Sequence, residues 1–144
     1  MKMRRMTAAL AILLALTLTG AHAQTFLRGY TYSVIEETNL ERARYGLDAL
    51  RVDEELMAAA RVRAEEIAQK FSHTRPDGTS WRTVSSAVRG ENIARGHNNP
   101  DRVMAAWMSS SGHRQNILRA GYGSIGAACV RAGNVCYWVQ LFGK

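Results

Sequence analysis

The stretch SIGAACVRAGNVCYWVQLF, residues 124–142, decides the fold class. Its two arms, 124–130 and 135–142, are rich in small, β-branched and aromatic residues, which is typical of strands, and Gly133-Asn134 lies between them. The second arm has two alternating faces, Val135, Tyr137, Val139 and Leu141 on one and Cys136, Trp138, Gln140 and Phe142 on the other, and both have apolar members. Such a strand is expected to be central or covered on both sides.

Helical patterns precede these strands. A first helix is predicted over residues 32–45, ended by Gly46, and Asn99-Pro100 starts another. Asp53 is a predicted N-cap, and the helix after it has an apolar stripe made by Leu56, Ala60, Ala64, Ile67 and Phe71. Helices first and strands last predict an α+β fold with helices packed on an antiparallel sheet.

The connecting segments have weaker signals. In the linker 47–52, Leu47 and Leu50 are expected to reach the core, and Arg75-Pro76-Asp77-Gly78 is a turn. Residues 79–90 are predicted as loop or short helix, and a short helical turn is expected to begin near His113.

The first 23 residues have the pattern of a secretory signal peptide. A basic start, Lys2, Arg4 and Arg5, is followed by an apolar run over 8–18 and by Ala21-His22-Ala23, a small-residue cleavage pattern. The alternative is an uncleaved membrane anchor, but the run is short for a bilayer span. We therefore expect residues 24–144 to be secreted, to the periplasm or the medium, without stable membrane insertion, and residues 24–33 to be a poorly patterned lead-in.

The distribution of charged residues argues against a nucleic-acid partner. Three of the 19 basic residues and none of the 12 acidic residues precede Gln24, so cleavage there leaves a net charge of +4. Basic residues are interleaved with acids, as at Arg42, Arg44, Arg61 and Arg63, which predicts a solvated mixed surface. With no basic run and no alternation of basic and aromatic residues, a nucleic-acid partner is not expected.

The two cysteines, Cys129 and Cys136, flank the hairpin signal. An even count in an exported chain suggests a disulfide. A hairpin that closes around residues 131–134 would place Cys129 opposite Cys136, where cross-strand Cβ spacing suits an S–S bond. The alternative is two reduced thiols.

Three residues are candidates for a site: His73, Glu91 and His113. Imidazole and carboxylate together bind metals or move protons. His73 follows a helix and precedes a turn, Glu91 lies between Gly90 and Asn92, and His113 starts a helical turn whose dipole keeps an imidazole neutral. Each also has a structural reading, as a cap, a brace or a surface residue. Their convergence does not follow from spacing.

Other chemistry-bearing residues favour structural roles. His97 lies in a polar loop and is expected at the surface, and residues 109–111, three serines, have no nucleophile elbow around them and suit capping. The aromatic residues expected in the core are Trp107, Trp138 and Tyr137, whereas Trp81 suits the core and a pocket rim equally well.

The ordered series of motifs resembles the CAP superfamily, named for cysteine-rich secretory, antigen 5 and pathogenesis-related-1 proteins and also called the SCP domain. The match is similar to the bacterial branch and covers about residues 34–143, within a domain predicted over residues 34–144. It rests on the phrases Phe71-Ser72-His73, Gly90-Glu91-Asn92-Ile93, Ala106-Trp107, Gly112-His113-Arg114-Gln115-Asn116-Ile117-Leu118 and residues 137–143.

The resemblance implies a three-layer α-β-α sandwich with a central antiparallel sheet and a cleft lined by two histidines and two acids. His73 and His113 match the family's histidines, and Glu91 matches its first acid. The second acid, expected a few positions after Trp107, is replaced here by serines at 109–111. The segment between Trp81 and Gly90 is also shorter than in relatives.

Three functions are compatible with this resemblance. The first is a secreted binding module in which His73 and His113 hold a divalent metal, most simply zinc, and Glu91 orients a histidine or completes the shell. The second is a metal-dependent hydrolase with Glu91 as its base, which the missing second acid disfavours. The third is an extracellular scaffold that binds a lipid, a peptide or a protein without metal.

Overall fold

The computed structural model describes residues 23–144, and its elements alternate between short strands and helices before the final hairpin. Their order along the chain is β1 (Gln24–Phe26), α1 (Arg28–Arg44), β2 (Arg51–Val52), α2 (Glu54–Gln69), a 3₁₀ helix (Trp81–Val84), β3 (Gly90–Arg95), α3 (Pro100–Met108), α4 (Ser111–Ile117), β4 (Ser124–Ala132) and β5 (Val135–Gly143).

The predicted hairpin is the centre of a five-stranded sheet. The strand order is β1-β4-β5-β3, and each neighbouring pair along this path is antiparallel. The short β2 pairs in parallel with the first residues of β4. β1 pairs with the last residues of β4, along the same edge of that strand. The predicted α+β class with a central antiparallel sheet is confirmed, with β2 as a small parallel addition.

Helices cover both faces of this sheet, which gives three layers. On one face Trp138 and Phe142 pack with Trp107 of α3 and with residues of α1 and α4. On the other face Val139 and Leu141 pack with α2. The two apolar faces predicted for β5 therefore belong to two separate cores, because each face meets its own helical layer.

Local signals placed most helix ends correctly. The Asp53 side chain accepts a hydrogen bond from Leu56 N at 2.9 Å, and the Asn99 side chain accepts one from Arg102 N at 2.9 Å. Gly46, at φ 69°, follows α1. Phe71, in contrast, lies beyond the end of α2 and is 40% exposed.

The lead-in prediction for residues 24–33 was wrong in part. Gln24–Phe26 is a strand and α1 begins at Arg28, four residues before the predicted start. The strand forms through backbone pairing with β4, Gln24 with Ala132 and Phe26 with Val130. Such pairing depends on a distant segment and leaves little trace in local side-chain pattern.

The prediction of a solvated surface was wrong for two of its four arginines. Arg44 and Arg61 are exposed, but Arg42 and Arg63 are 1% and 0% exposed. Arg42 has no carboxylate within ion-pair distance among the described residues and instead donates to four backbone carbonyls, those of Asp48, Ile117, Arg119 and Tyr122. Burial lowers the pKa of Arg42, and the charge of Asp48 partly opposes this effect.

The predicted position of the cysteines was also wrong. The turn consists of Gly133 and Asn134 alone, so Cys129 faces Trp138 and Cys136 faces Arg131. The pairing register of β4 with β5 is shifted by two residues from the predicted one. The two cysteines are therefore diagonal neighbours on adjacent strands and do not lie directly opposite each other. Both are buried free thiols, so the predicted disulfide is not formed here. Burial, and then the neighbouring Cys136, raises the pKa of Cys129, which disfavours the reactive thiolate.

The predicted signal peptide lies outside the described residues except for Ala23. Within residues 23–144, none of the helices combines the length and the apolar character needed to cross a bilayer.

The packing of α2 on β4 makes one glycine essential for stability. A Cβ atom at Gly126 would lie 2.1 Å from the backbone carbon of Leu56, so any side chain there must push the helix off the sheet. We predict that Gly126→Ala lowers the free energy of unfolding by about 3 kcal/mol, measured by chemical denaturation.

Gly121→Ala is the matched control, because a Cβ there would meet no atom within 4 Å. It should leave stability within about 1 kcal/mol of the parent protein. Equal stability of the two variants would show that α2 does not approach β4 this closely.

Candidate functional site

A cavity of about 480 Å³ opens where the 3₁₀ helix, the start of β3 and the segment after α4 meet. We call it the site cavity. Its walls bring together two of the predicted site residues, three arginines and two aromatic rings; they are His73, Trp81, Arg82, Arg89, Gly90, Glu91, Asn116, Arg119 and Tyr122. This volume is in the range of small-molecule sites.

Glu91 is fixed at the base of the cavity by a buried ion pair. Its Oε2 accepts from Arg63 Nε at 2.7 Å and its Oε1 from Arg63 Nη2 at 3.2 Å. Both side chains are completely buried. Arg63 also donates to Glu66 at 2.7 Å and to the Ser72 carbonyl at 2.9 Å. Burial alone would lower the pKa of Arg63, but its hydrogen bonds to Glu91 and Glu66 outweigh burial and raise the pKa.

His73 is joined directly to this pair. Its Nδ1 lies 2.8 Å from Glu91 Oε1, and its side chain is 55% exposed. Because Glu91 is ion-paired with Arg63 and accepts hydrogen bonds, we assign the proton of a neutral His73 to Nδ1. This tautomer leaves Nε2 with a free lone pair, the arrangement of a metal-binding histidine oriented by a carboxylate.

The loop that holds His73 is tied at both ends. The Trp81 amide donates to the His73 carbonyl at 3.1 Å, and Thr74 pairs with Ser80 in an isolated bridge. Gly78, at φ 85°, makes the predicted turn. Arg75 at the start of this turn donates to both oxygens of Glu66, so the loop is anchored to α2.

His113 lies in the first turn of α4 and is half-buried. Burial lowers its pKa, and the proximity of His73 lowers it further, which favours the neutral imidazole. Its carbonyl accepts from Asn92 Nδ2 at 3.1 Å. His113 is near His73 but is not among the walls of the site cavity.

A chain of three amide side chains, two of them buried, holds α4 against the sheet. Asn116 Nδ2 donates to Asn92 Oδ1 at 2.9 Å, and Asn92 Nδ2 donates to Gln140 Oε1 at 3.0 Å. Gln140 Nε2 in turn donates to Thr38 Oγ1 on α1 at 2.7 Å. Every buried polar side-chain atom of the described residues has a hydrogen-bond partner. Because Asn92 also donates to the His113 carbonyl, this network ties His113 to β3.

The remaining candidates lie where structural roles were predicted. Ser110 occupies the N-cap position of α4, but its side chain makes no capping hydrogen bond. Ser109 Oγ donates to the Ala105 carbonyl, and no carboxylate occupies this segment. The His97 carbonyl accepts from Trp138 Nε1. Trp107 and Trp138 are each 1% exposed, Tyr137 is partly buried against the second core, and Trp81 packs at that core's edge as well as lining the cavity.

Sequence reasoning missed Arg63, Asn92 and Asn116. Arg63 left a signal, because it falls three residues after Ala60 and four before Ile67, within the apolar stripe of α2. A charged residue in such a stripe is buried only when it is paired. Asn92 and Asn116 were quoted within motifs, but their hydrogen bonds depend on tertiary contact and left no local pattern.

The donor set for a metal is small. Within residues 23–144, no group of three or more His, Cys, Asp and Glu side chains is arranged to hold a metal ion. Glu91 is unsuitable as a third ligand because both of its oxygens already accept hydrogen bonds. The residues fit at most a site with two histidine ligands and open positions.

Comparison with known proteins agrees with this fold. Residues 35–142 match the family model described as the cysteine-rich secretory protein (CAP) family. The chain belongs to the CAP family. It is 37% identical over 134 residues to the uncharacterised protein YkwD of Bacillus subtilis, covering 88% of this chain and 51% of that protein. The CAP domain described here thus spans about half the length of its curated relative.

Solved structures share the CAP fold. An extracellular SCP-domain protein of Bacillus anthracis superposes with a TM-score of 0.70 at 23% identity, covering 81% of this chain and 41% of that one. An outer surface protein of Borrelia burgdorferi gives 0.71 at 20%, covering 85% and 98%. NaASP2 with Zn²⁺ gives 0.64 at 15%, covering 82% and 80%. At these identities the likeness establishes the fold alone.

The contribution of the buried Arg63–Glu91 ion pair to the stability of this CAP domain can be measured by substitution. Removing one partner leaves an uncompensated charge, so we predict that Arg63→Met lowers the free energy of unfolding by about 3–5 kcal/mol. The double variant Arg63→Met/Glu91→Leu, which removes both charges of the pair and leaves Glu66 paired with Arg75, should be more stable than the single variant in chemical denaturation.

Arg61→Met serves as the control, because the Arg61–Glu65 pair is solvent-exposed, at 57% and 45%. Its effect should stay within about 0.5 kcal/mol. A double variant less stable than Arg63→Met would mean that the pair itself, rather than charge balance, stabilises the domain.

Proposed function

We propose that this CAP domain is an extracellular binding module in which His73 and His113 hold a divalent metal and Glu91 orients His73. The observation that carries the proposal is the 2.8 Å contact between His73 Nδ1 and Glu91 Oε1, backed by Arg63. This contact supports a fixed ring with Nε2 available, and the lowered pKa of His113 supports a second neutral imidazole nearby.

Zinc is the metal that this donor set suits best. Neutral imidazole nitrogens bind zinc well, and structural or catalytic zinc sites in proteins use three or four protein ligands. With two histidines, the remaining positions would be filled by water or by a bound ligand, so we expect moderate affinity. A zinc-containing crystal form of the fold relative NaASP2 is in keeping with this choice.

Export is part of the same proposal. Residues 1–23 have the pattern of a signal peptide, and two structural relatives are described as an extracellular protein and an outer surface protein. We therefore propose that the domain acts outside the cytoplasm.

The hydrolase alternative lacks a base. Among the described residues, Glu91 is the only carboxylate in the cavity walls, and its two oxygens are engaged by Arg63 and His73. Because the Glu91 side chain is buried and both oxygens are occupied, neither oxygen is free to take a proton from a water molecule in the cavity. The walls are also mostly charged or polar, which does not favour the alternative of a lipid chain as ligand.

Calorimetric titration of zinc into metal-free protein tests the metal assignment. We predict that zinc binds with one-to-one stoichiometry and that His73→Ala and His113→Ala each lower the affinity at least about 10-fold, since each removes one ligand.

His97→Ala is the matched control, because His97 lies at the opposite end of β3, beyond Arg95, and its carbonyl rather than its ring makes the structural contact. It should bind zinc as the parent protein does. Affinity unchanged in both His73→Ala and His113→Ala would overturn the proposed metal site.

A further inference from the structure

The site cavity has an unbalanced positive charge. Its described walls include three arginines, Arg82, Arg89 and Arg119, and one carboxylate, Glu91, which is already neutralised by the buried Arg63. Within residues 23–144, none of these three guanidinium groups lies within 4.0 Å of a carboxylate oxygen. Like charges gathered in one concave site repel each other unless a counter-charge binds there.

The three guanidinium groups are nevertheless positioned by their neighbours. Arg82 stacks over the Trp81 ring, with its Cζ 4.3 Å from the ring centroid, and Arg119 lies over Tyr122 at 5.4 Å. Arg89 Nη1 donates to the carbonyls of Ser86 and Val88. A guanidinium stacked on a ring uses its flat face and keeps the N–H groups at its edge available, which suits bidentate binding of an oxyanion.

The aromatic wall is itself held in place. Tyr122 stacks on Phe142 with centroids 5.3 Å apart, and its hydroxyl donates to the Arg89 carbonyl at 3.2 Å. At Gly90 a Cβ atom would lie 2.4 Å from the Tyr122 hydroxyl, so the glycine leaves room for the ring. Tyr122 therefore links Arg89 and Arg119 in one wall.

We propose that the site cavity binds a phosphate group through Arg82, Arg89 and Arg119. A phosphate has up to two negative charges and at least three acceptor oxygens, which match three guanidinium edges, whereas a carboxylate has one charge and two oxygens. The cavity volume of about 480 Å³ leaves room for an organic substituent on the phosphate, beside Trp81 and Tyr122. This inference deepens the proposed binding role of the cleft but does not require the metal.

The test is a titration of inorganic phosphate into the purified protein in the presence of a metal chelator, followed by backbone amide NMR shifts. The amides of Arg82, Gly90 and Arg119 should move together. Because each lost charged hydrogen bond costs about 1.5–3 kcal/mol, each single Arg→Gln change should weaken binding about 10-fold or more, and the triple variant at least about 100-fold.

The control removes the same charge elsewhere. Arg28, Arg51 and Arg95 are exposed and lie outside the cavity, and two of them also stack on rings, Arg28 on Tyr32 and Arg95 on Phe71. The triple glutamine variant at these positions should keep parent affinity. Equal loss in both triple variants would overturn the cavity as the site, and so would the absence of any phosphate binding.

Two further arms identify the ligand and separate the two proposals. Succinate binding as tightly as phosphate would overturn the phosphate assignment. A protein that binds inorganic phosphate and also binds phosphatidylcholine vesicles, but only when they contain phosphatidic acid, would have a lipid headgroup as its ligand. A protein that binds inorganic phosphate but neither kind of vesicle would have a soluble phosphate as its ligand. Phosphate binding retained by His113→Ala, with zinc binding lost, would show that the anion site stands apart from the metal site.

Discussion

The candidate site depends on the buried pair between Arg63 and Glu91. The pair crosses from α2 to β3, and through Arg63 it also holds the Ser72 carbonyl, one residue before His73. His73 then contacts the same carboxylate. One salt bridge thus positions a helix, a strand and the loop with the histidine, and removing either partner would leave a charge in the core without compensation.

The two buried arginines show two ways to stabilise a charge in the interior. Arg63 is matched by Glu91 and Glu66, which raise its pKa, whereas Arg42 is surrounded by carbonyl dipoles and its pKa is lowered by burial. Arg42 joins α1 to the segments around Ile117 and Tyr122, on the face of the sheet opposite α2. The site therefore lies between two arginine-centred junctions, one in each helical layer.

Features that depend on neighbouring residues could be predicted from the sequence, whereas features that depend on distant segments could not. Caps such as Asp53 and Asn99 act within three residues, and the alternation of residues 135–142 reflects the faces of a single strand, so both were predicted correctly. β1, the register of the cysteines and the burial of Arg63 depend on partners many residues away. The motifs indicated that His73, Glu91 and His113 belong to one cleft, but only the fold shows that Glu91 is engaged twice and that Arg82, Arg89 and Arg119 share a cavity with it.

The absence of the second acid expected from the resemblance is consistent with the positive charge of the site cavity. A cleft with two free carboxylates attracts cations, whereas here serines occupy residues 109–111 and the remaining carboxylate is neutralised by Arg63. A metal held by two histidines would add positive charge beside three arginines. The resulting repulsion would disfavour metal binding unless an anion is bound as well. Under both proposals, metal and phosphate would each lower the electrostatic cost of the other, and by linkage that coupling is reciprocal. If both proposals hold, serines in place of an acid at residues 109–111 would favour joint binding of a cation and an anion over binding of a cation alone.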